Sequence, residues 1–308
     1  MQKIFWDRRV SLRLLDHIDV LTPTRLEVSR DGGPRILTPE MVEYIETISG
    51  VAMEAVQQSC NDQPLRVELL DNGDVLSVNG VLLRKPFVEK PVNENEHDII
   101  IYYPGITGGG ARKLFRTWGS KPSEFIPDLV TPRAITKPKR SYIYEQLIEV
   151  DNGEDVKVYA IGPTCSYANT RKSRVIGGRV RRNIYGKEIR YMTALSGEEE
   201  ETVKKVSTSF GQLVCGLNLL RSNGKSYVNG VKGWTMAEDD DEYLDTCALI
   251  LRGIFTEKLS RVPRPPSVLA YTTSTSRGNE TPPAKLAEET SASNLIQESS
   301  GDKQDLPE

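Results

Sequence analysis

Apolar positions recur at helical spacing in four stretches and alternate with polar ones through most of the remainder. Residues 2–20 carry Ile4, Phe5, Val10, Leu14 and Leu15 among charges, which predicts a helix. "TPTRLEVSR" reads as a turn leading into a strand, and 38–60 opens on Thr-Pro and keeps a helical period throughout. "LRVELLDNGDVLSVNGVLLRKPFVEKPV" and "HDIIIYYP" alternate around Asn72-Gly73 and Asn79-Gly80, which predicts a β-meander. "SYIYEQLIEV", "EDVKVYAIG" and a glycine-broken pair in "IGGRVRRNIYGKEIRYMT" add strands. A helix is expected to start at Ser196, with Glu199 in capping-box register and a face of Val203, Val206, Phe210 and Leu213. "VCGLNLLR", "SNG" and "GKSYVNGVKGW" then make a hairpin, and "DDEYLDTCALILRGIF" a last helix lined by Leu244, Ala248, Leu251 and Phe255. The class is α+β with antiparallel sheets.

Beyond about residue 260 the pattern stops. That stretch is rich in Ser, Thr, Pro and Glu and has too little apolar surface to offset chain entropy. A folded domain over 1–259 and a disordered tail over 260–308 are expected. The 308 residues carry a net charge of −3, so an anionic partner must be held by a local basic cluster. No apolar run reaches the length of a membrane span, and no secretory signal opens the chain. The cysteines (Cys60, Cys165, Cys215, Cys247) are scattered without metal-ligand spacing. Reduced thiols, the cytoplasm and no membrane insertion are the expectation.

Four clusters carry candidate chemistry. In "RKPFVEKPVNENEH", Lys90 ends a strand beside Glu89, with His97 seven residues on, and a lysine there reaches a phosphate as a point charge. In "GITGGGARKLFR", Gly108, Gly109 and Gly110 precede Arg112, Lys113 and Arg116, which suits a mobile flap over phosphates; no Walker lysine follows. In "YEQLIEVDNGEDVKVY", a strand edge suits an adenine, and Asp155 and Lys157 flank Val156. "RKSRVIGGRVRR" holds Arg171, Lys172, Arg174, Arg179, Arg181 and Arg182 with no acid. No aromatic residue interleaves them, so clustered phosphates suit them better than nucleic acid.

Together these stretches resemble the diphosphoinositol pentakisphosphate kinases of the ATP-grasp type. The resemblance is carried in order by "WDRRVSLRLL", "RKPFVEKPV", "GGGARKLFR", "SYIYEQ", "EDVKVYAIGP", "TRKS", "GKEIRY", "VCGLNLLR" and "GKSYV" across about residues 1–256. It implies an ATP-grasp fold of two antiparallel lobes. It also implies transfer of the γ-phosphate of ATP to a phosphate of inositol hexakisphosphate or diphosphoinositol pentakisphosphate. By position, Arg8, Lys90, His97, Glu145, Gln146, Leu147, Ile148, Asp155 and Ser173 would contact nucleotide. Arg116, Lys157 and Arg171 would face the inositol phosphates, with Arg116 and Lys157 also reaching the γ-phosphate. The acceptor is an ionised phosphate oxygen, so no general-base histidine is needed, which fits a chain with only His17 and His97.

The chain departs from that pattern at the hairpin. Family magnesium ligands are replaced by Asn218, Gly230 and Lys232, and an ammonium about 4 Å from a divalent ion repels it by about 8 kcal/mol at an effective dielectric near 20. Glu238 stands where the family tends to place a substrate-side lysine, and "EDDDE" (238–242) is a remote source of replacement carboxylates. The small α/β domain that precedes the lobes in the family, and the phosphatase-like domain that follows, are expected to be absent. The resemblance therefore leaves two expectations: an ATP-dependent kinase, with magnesium in doubt, or a relic that binds without transfer.

Overall fold

The computed structural model describes residues 5–34, 38–57, 65–115, 123–163, 165–173, 175, 181–237 and 241–261. The expected tail beyond Arg261, which still ends a helix, and Arg116, Arg174, Arg179 and Glu238 lie outside the described residues. Contacts divide the chain into one unit over Met1–Leu259 and a second over Ser260–Glu308.

Three antiparallel sheets build the first unit. The first sheet takes β1 (Arg25–Val28), β9 (Tyr142–Gln146), β5 (Phe87–Pro91), β6 (Ile99–Tyr102), β7 (Ala111–Leu114) and β8 (Ser123–Ile126), in that order. The second takes β12 (Tyr191–Met192), β11 (Cys165–Lys172), β10 (Glu154–Ile161), β13 (Val214–Ser222) and β14 (Lys225–Gly233). The third is β2 (Val67–Leu70), β3 (Val75–Val78) and β4 (Val81–Arg84). The expected meander is thus divided: Leu76, Val78 and Leu83 pack against Phe87, Ile100 and Tyr102 of the first sheet instead of continuing it. Burial of that apolar face against the first sheet offsets the loss of a continuous ladder.

Helix α1 (Arg8–His17) is capped by Asp7, whose carboxylate accepts from the Arg9 amide. The helix expected over 38–60 is two, α2 (Pro39–Ser49) and α3 (Met53–Gln57). Gly50 ends the first in the left-handed region at φ +68°, its amide bonded to Glu46 O. The Glu46 carboxylate then accepts from the Met53 amide at 2.7 Å. The apolar period runs on through this break, which is why spacing alone merged the two helices. Short helix α4 (Arg133–Thr136) sits against the first sheet. Helix α5 (Gly197–Ser209) has the expected capping box between Ser196 and Glu199.

One face of the second sheet is buried under α1, α2, α3 and α5, where Val156, Val158, Leu217 and Leu219 meet Val10, Leu14, Val206 and Phe210. Helix α6 (Asp241–Arg261) covers the far end of the opposite face through Tyr243 and Cys247, which join Tyr159 and Ile161. Of the expected lining, Leu244 and Leu251 pack against this cluster, whereas Ala248 and Phe255 are exposed, and Tyr243 and Cys247 take the buried positions instead. Among the described residues, no helix is long and apolar enough to cross a membrane.

Candidate functional site

Strand alternation decides what reaches the open face of the second sheet. Val156 and Val158 point to the helices, so Asp155, Lys157 and Tyr159 point away from them. Register carries that face sideways: Asp155 pairs with Arg171 on β11, and Lys157 with Asn218 on β13. Asn218 pairs with Gly230, and Gly216 with Lys232, on β14. The register shifts between Asn218 and Leu219, which leaves Asn229 as the extra residue of a bulge.

A cleft of about 520 Å³ is lined from both large sheets. Val88, Ile99, Ile101, Leu114 and Leu147 make apolar walls, and Lys90, Asp155, Arg171, Ser173 and Asn229 supply polar groups. Lys90, on β5, donates to Glu145 Oε2 at 2.6 Å and to Asn229 Oδ1 at 2.8 Å. One buried ammonium therefore joins the first sheet to the bulge of the second. Glu145 is buried, and its Oε1 has no hydrogen-bond partner among the described residues.

The expected residues distribute unevenly. Lys90, Glu145, Gln146, Leu147, Ile148, Asp155, Arg171 and Ser173 line this one cleft. Lys157 borders an adjoining recess with Asp155, Arg171, Asn218 and Asn229. Arg8 lies behind Lys90, its guanidinium donating to Pro91 O and Asn93 O and paired with Glu94 at 2.6 Å. Burial lowers the Arg8 pKa against the pull of Glu94 and Glu145. His97 lies on the loop between β5 and β6 and is not among the residues lining the cleft.

The glycine loop is not among the residues that line the cleft. Gly108, Gly109 and Gly110 make the turn between β6 and β7, and a Cβ on Gly110 (φ +76°) would sit 2.8 Å from Phe125 Cζ. Arg112 donates to Ser123 Oγ at 3.1 Å, and Lys113 pairs with Asp98 at 3.0 Å. Asn229, which holds Lys90, was not foreseen. Its signal is the one-residue mismatch between the hairpin arms.

Lys157 is crowded by like charge. Burial, then Arg171, Arg190 and Lys232, bring its pKa down to about 8, with Glu188 opposing. Its ammonium also sits 4.9 Å from the Tyr159 ring centroid. Lys157 is thus largely protonated below pH 8 and loses its proton as pH rises through that value. A bound polyanion raises the pKa again, so binding above pH 8 takes up a proton. Triphosphate affinity is expected to be flat in pH, as far as Lys157 decides it, up to about pH 8, then to fall by up to about tenfold per unit. Titration calorimetry of Lys157→Arg, which keeps the charge, should show a flat profile across the same range.

The hairpin positions do not suit a divalent ion. An amide, a glycine and an ammonium stand at Asn218, Gly230 and Lys232, and Mg²⁺ asks for oxygen ligands. Among the described residues, no three acidic, histidine or cysteine side chains gather as a metal site.

Taken together, these features define an α+β protein with a cation-bearing cleft between two antiparallel sheets. No family model matches the chain. It is 48% identical over 260 residues to the inositol hexakisphosphate and diphosphoinositol-pentakisphosphate kinase of Saccharomyces cerevisiae, covering 83% of this chain and 21% of the relative. It is 41% identical over 199 residues to kinase 2 of that name from Homo sapiens, covering 65% and 16%. The Arabidopsis thaliana kinase VIP1 is 45% identical over 183 residues, covering 59% and 17%. The chain belongs to the inositol hexakisphosphate and diphosphoinositol-pentakisphosphate kinase family as a segment, spanning about a fifth of the length of the yeast relative. Among solved structures it is similar to the D-alanine–D-alanine ligase of Bacillus anthracis, at 12% identity and a TM-score of 0.42, covering 84% of this chain and 69% of that one. The ATP-grasp ligase PsnB, complexed with minimal precursor, Mg and ADP, matches at 13% identity and a TM-score of 0.40, covering 83% and 60%.

Proposed function

We propose that this chain is the ATP-grasp segment of an ATP-dependent inositol polyphosphate kinase. ATP lies in the cleft, and inositol hexakisphosphate or diphosphoinositol pentakisphosphate lies against the face bearing Lys157 and Arg171. One observation carries the reading: Lys90, Glu145 to Ile148, Asp155, Arg171 and Ser173, far apart in sequence, line a single cleft. Its volume of about 520 Å³ falls in the range of small-molecule sites. The Gln146 and Leu147 amides already donate to Thr24 O and Pro86 O. A purine edge therefore has the carbonyls of this segment and the amides from Ile148 onward to pair with.

In the transfer, an anionic acceptor oxygen forms a bond to the γ-phosphorus. The bond from that phosphorus to the β–γ bridging oxygen breaks, and ADP leaves with the electron pair. No proton must be removed from the acceptor, so the protein's work is alignment and charge neutralisation. Lys90 would meet the nucleotide phosphates, while Lys157 and Arg171, where the cleft and the adjoining recess meet, would hold the acceptor and also meet the end of the triphosphate.

The hairpin favours a second reading, in which both ligands bind and no phosphate moves. Transfer of label from ATP to inositol hexakisphosphate separates the two. The kinase reading expects labelled product from the purified chain and none from Lys90→Ala. If the chain binds both ligands without product, the second reading holds. In that case Asn218→Asp, Gly230→Asp and Lys232→Asn together should raise magnesium-dependent transfer by about a hundredfold. Gly230 accepts a side chain without strain, since a Cβ there would meet Asn218 Nδ2 at an ordinary 3.8 Å.

A further inference from the structure

The face that would receive phosphates carries its own cations in excess. Arg171, Arg190 and Lys232, from β11, the segment before β12 and β14, all act on Lys157 of β10 there. The carboxylates near them are Glu188, which meets Arg171 at 3.5 Å and Arg190 at 3.1 Å, and Asp155, across from Arg171. One acid thus serves two guanidiniums. Arg171 Nε is buried with no hydrogen-bond partner among the described residues, so part of its fork remains to be satisfied. Arg190 is held in place by a bond to the Tyr159 hydroxyl at 3.1 Å.

Bringing four cations to one sheet face costs free energy through mutual repulsion, and a polyanion removes that cost. A divalent ion placed among them would restore it. The ammonium of Lys232 stands two residues from Gly230 on the same face of β14, the edge strand of its sheet. Lys232 is exposed, so it can follow a phosphate without leaving a buried charge behind.

We propose that this cleft binds the triphosphate of a nucleotide without a divalent cation, Lys232 supplying the charge with Lys157, Arg171 and Arg190 beside it. The proposal rests on the nucleotide-binding reading above. It makes a divalent cation unnecessary for binding, whether or not phosphate is subsequently transferred. A nucleotide chelated to magnesium brings less negative charge to the four cations, so metal-free ATP is the ligand the face prefers.

The test is titration calorimetry of the full chain with ATP, once in EDTA and once in excess magnesium. Affinity in EDTA is expected to equal or exceed that in magnesium. Lys232→Asn should weaken metal-free binding by about tenfold, with Lys232→Arg retaining most of it. Thermal unfolding of each variant confirms that the exposed substitution leaves the fold intact. Binding seen only in magnesium overturns the proposal and leaves nucleotide binding standing. Metal-free affinity unchanged by Lys232→Asn also overturns it. Absence of binding under both conditions overturns the nucleotide reading itself and the proposal with it.

Discussion

Lys90→Ala is expected to destabilise the folded chain by about 3–5 kcal/mol and to abolish measurable nucleotide binding. The two losses have separate causes. Lys90 and Glu145 are both buried and meet at 2.6 Å, so removing the ammonium leaves a carboxylate without its counter-charge. Asn229 loses its donor at the same time, and the link between the two sheets goes with it. Binding is expected to fail because Lys90 is also one of the two cations that line the cleft among the described residues. The double change Lys90→Met with Glu145→Leu distinguishes these effects. Replacing a buried ion pair by apolar side chains of similar volume is often neutral, so stability should return while nucleotide binding stays absent. Urea unfolding reads the first quantity and calorimetry the second.

Where sequence revealed the fold, an element had both a long period and a marked end. The β13–β14 hairpin is visible because two nine-residue strands flank Asn223-Gly224, both at positive φ, as a tight turn requires. Helix α5 is visible because Ser196 and Glu199 announce its start. Strands β7 and β8 were hidden. "ARKL" and "SEFI" are four residues each and carry charges, and "ARKL" follows three glycines, so they read as a loop. β11, "CSYANTRK", was hidden for another reason. It pairs on both sides, with β10 and the short edge strand β12, and is yet polar, because its open face carries Arg171 to the cleft.

The candidate site was legible as residue types and much less so as geometry. Lys90 and the segment from Glu145 were singled out individually, whereas their direct bond depends on β5 pairing with β9 across 55 residues. The charges at Arg112 and Lys113 pointed to phosphate, and the fold spends them on Ser123 and Asp98. A basic residue in a glycine-rich stretch has many acids available to it once the chain is compact, and periodicity does not tell which one it meets. The excess of cation at Lys157 was equally invisible, since Arg171, Arg190 and Lys232 reach it from three other segments.

Glu89, the neighbour of Lys90 on β5, provides the sharpest contrast in function. Alternation turns it to the opposite side of the strand, where it is fully buried. There its carboxylate accepts from Arg133 Nε, from the Arg133 amide at 2.7 Å and from the Tyr144 hydroxyl at 2.6 Å. Arg133 in turn pairs with Asp98 and lies 4.9 Å over the Tyr142 ring. Glu89→Ala strips the acceptor from all three donors and leaves the buried guanidinium with Asp98 alone, so a loss of about 3–5 kcal/mol is expected. None of these groups lines the cleft apart from their shared strand. Nucleotide affinity of the folded fraction should therefore stay within about threefold of the parent, a difference under 1 kcal/mol. Urea unfolding and calorimetry on one preparation check both numbers. A Glu89→Ala chain that folds as stably as the parent, or that loses nucleotide binding while folded, would mean that the two faces of β5 do not divide the work in this way.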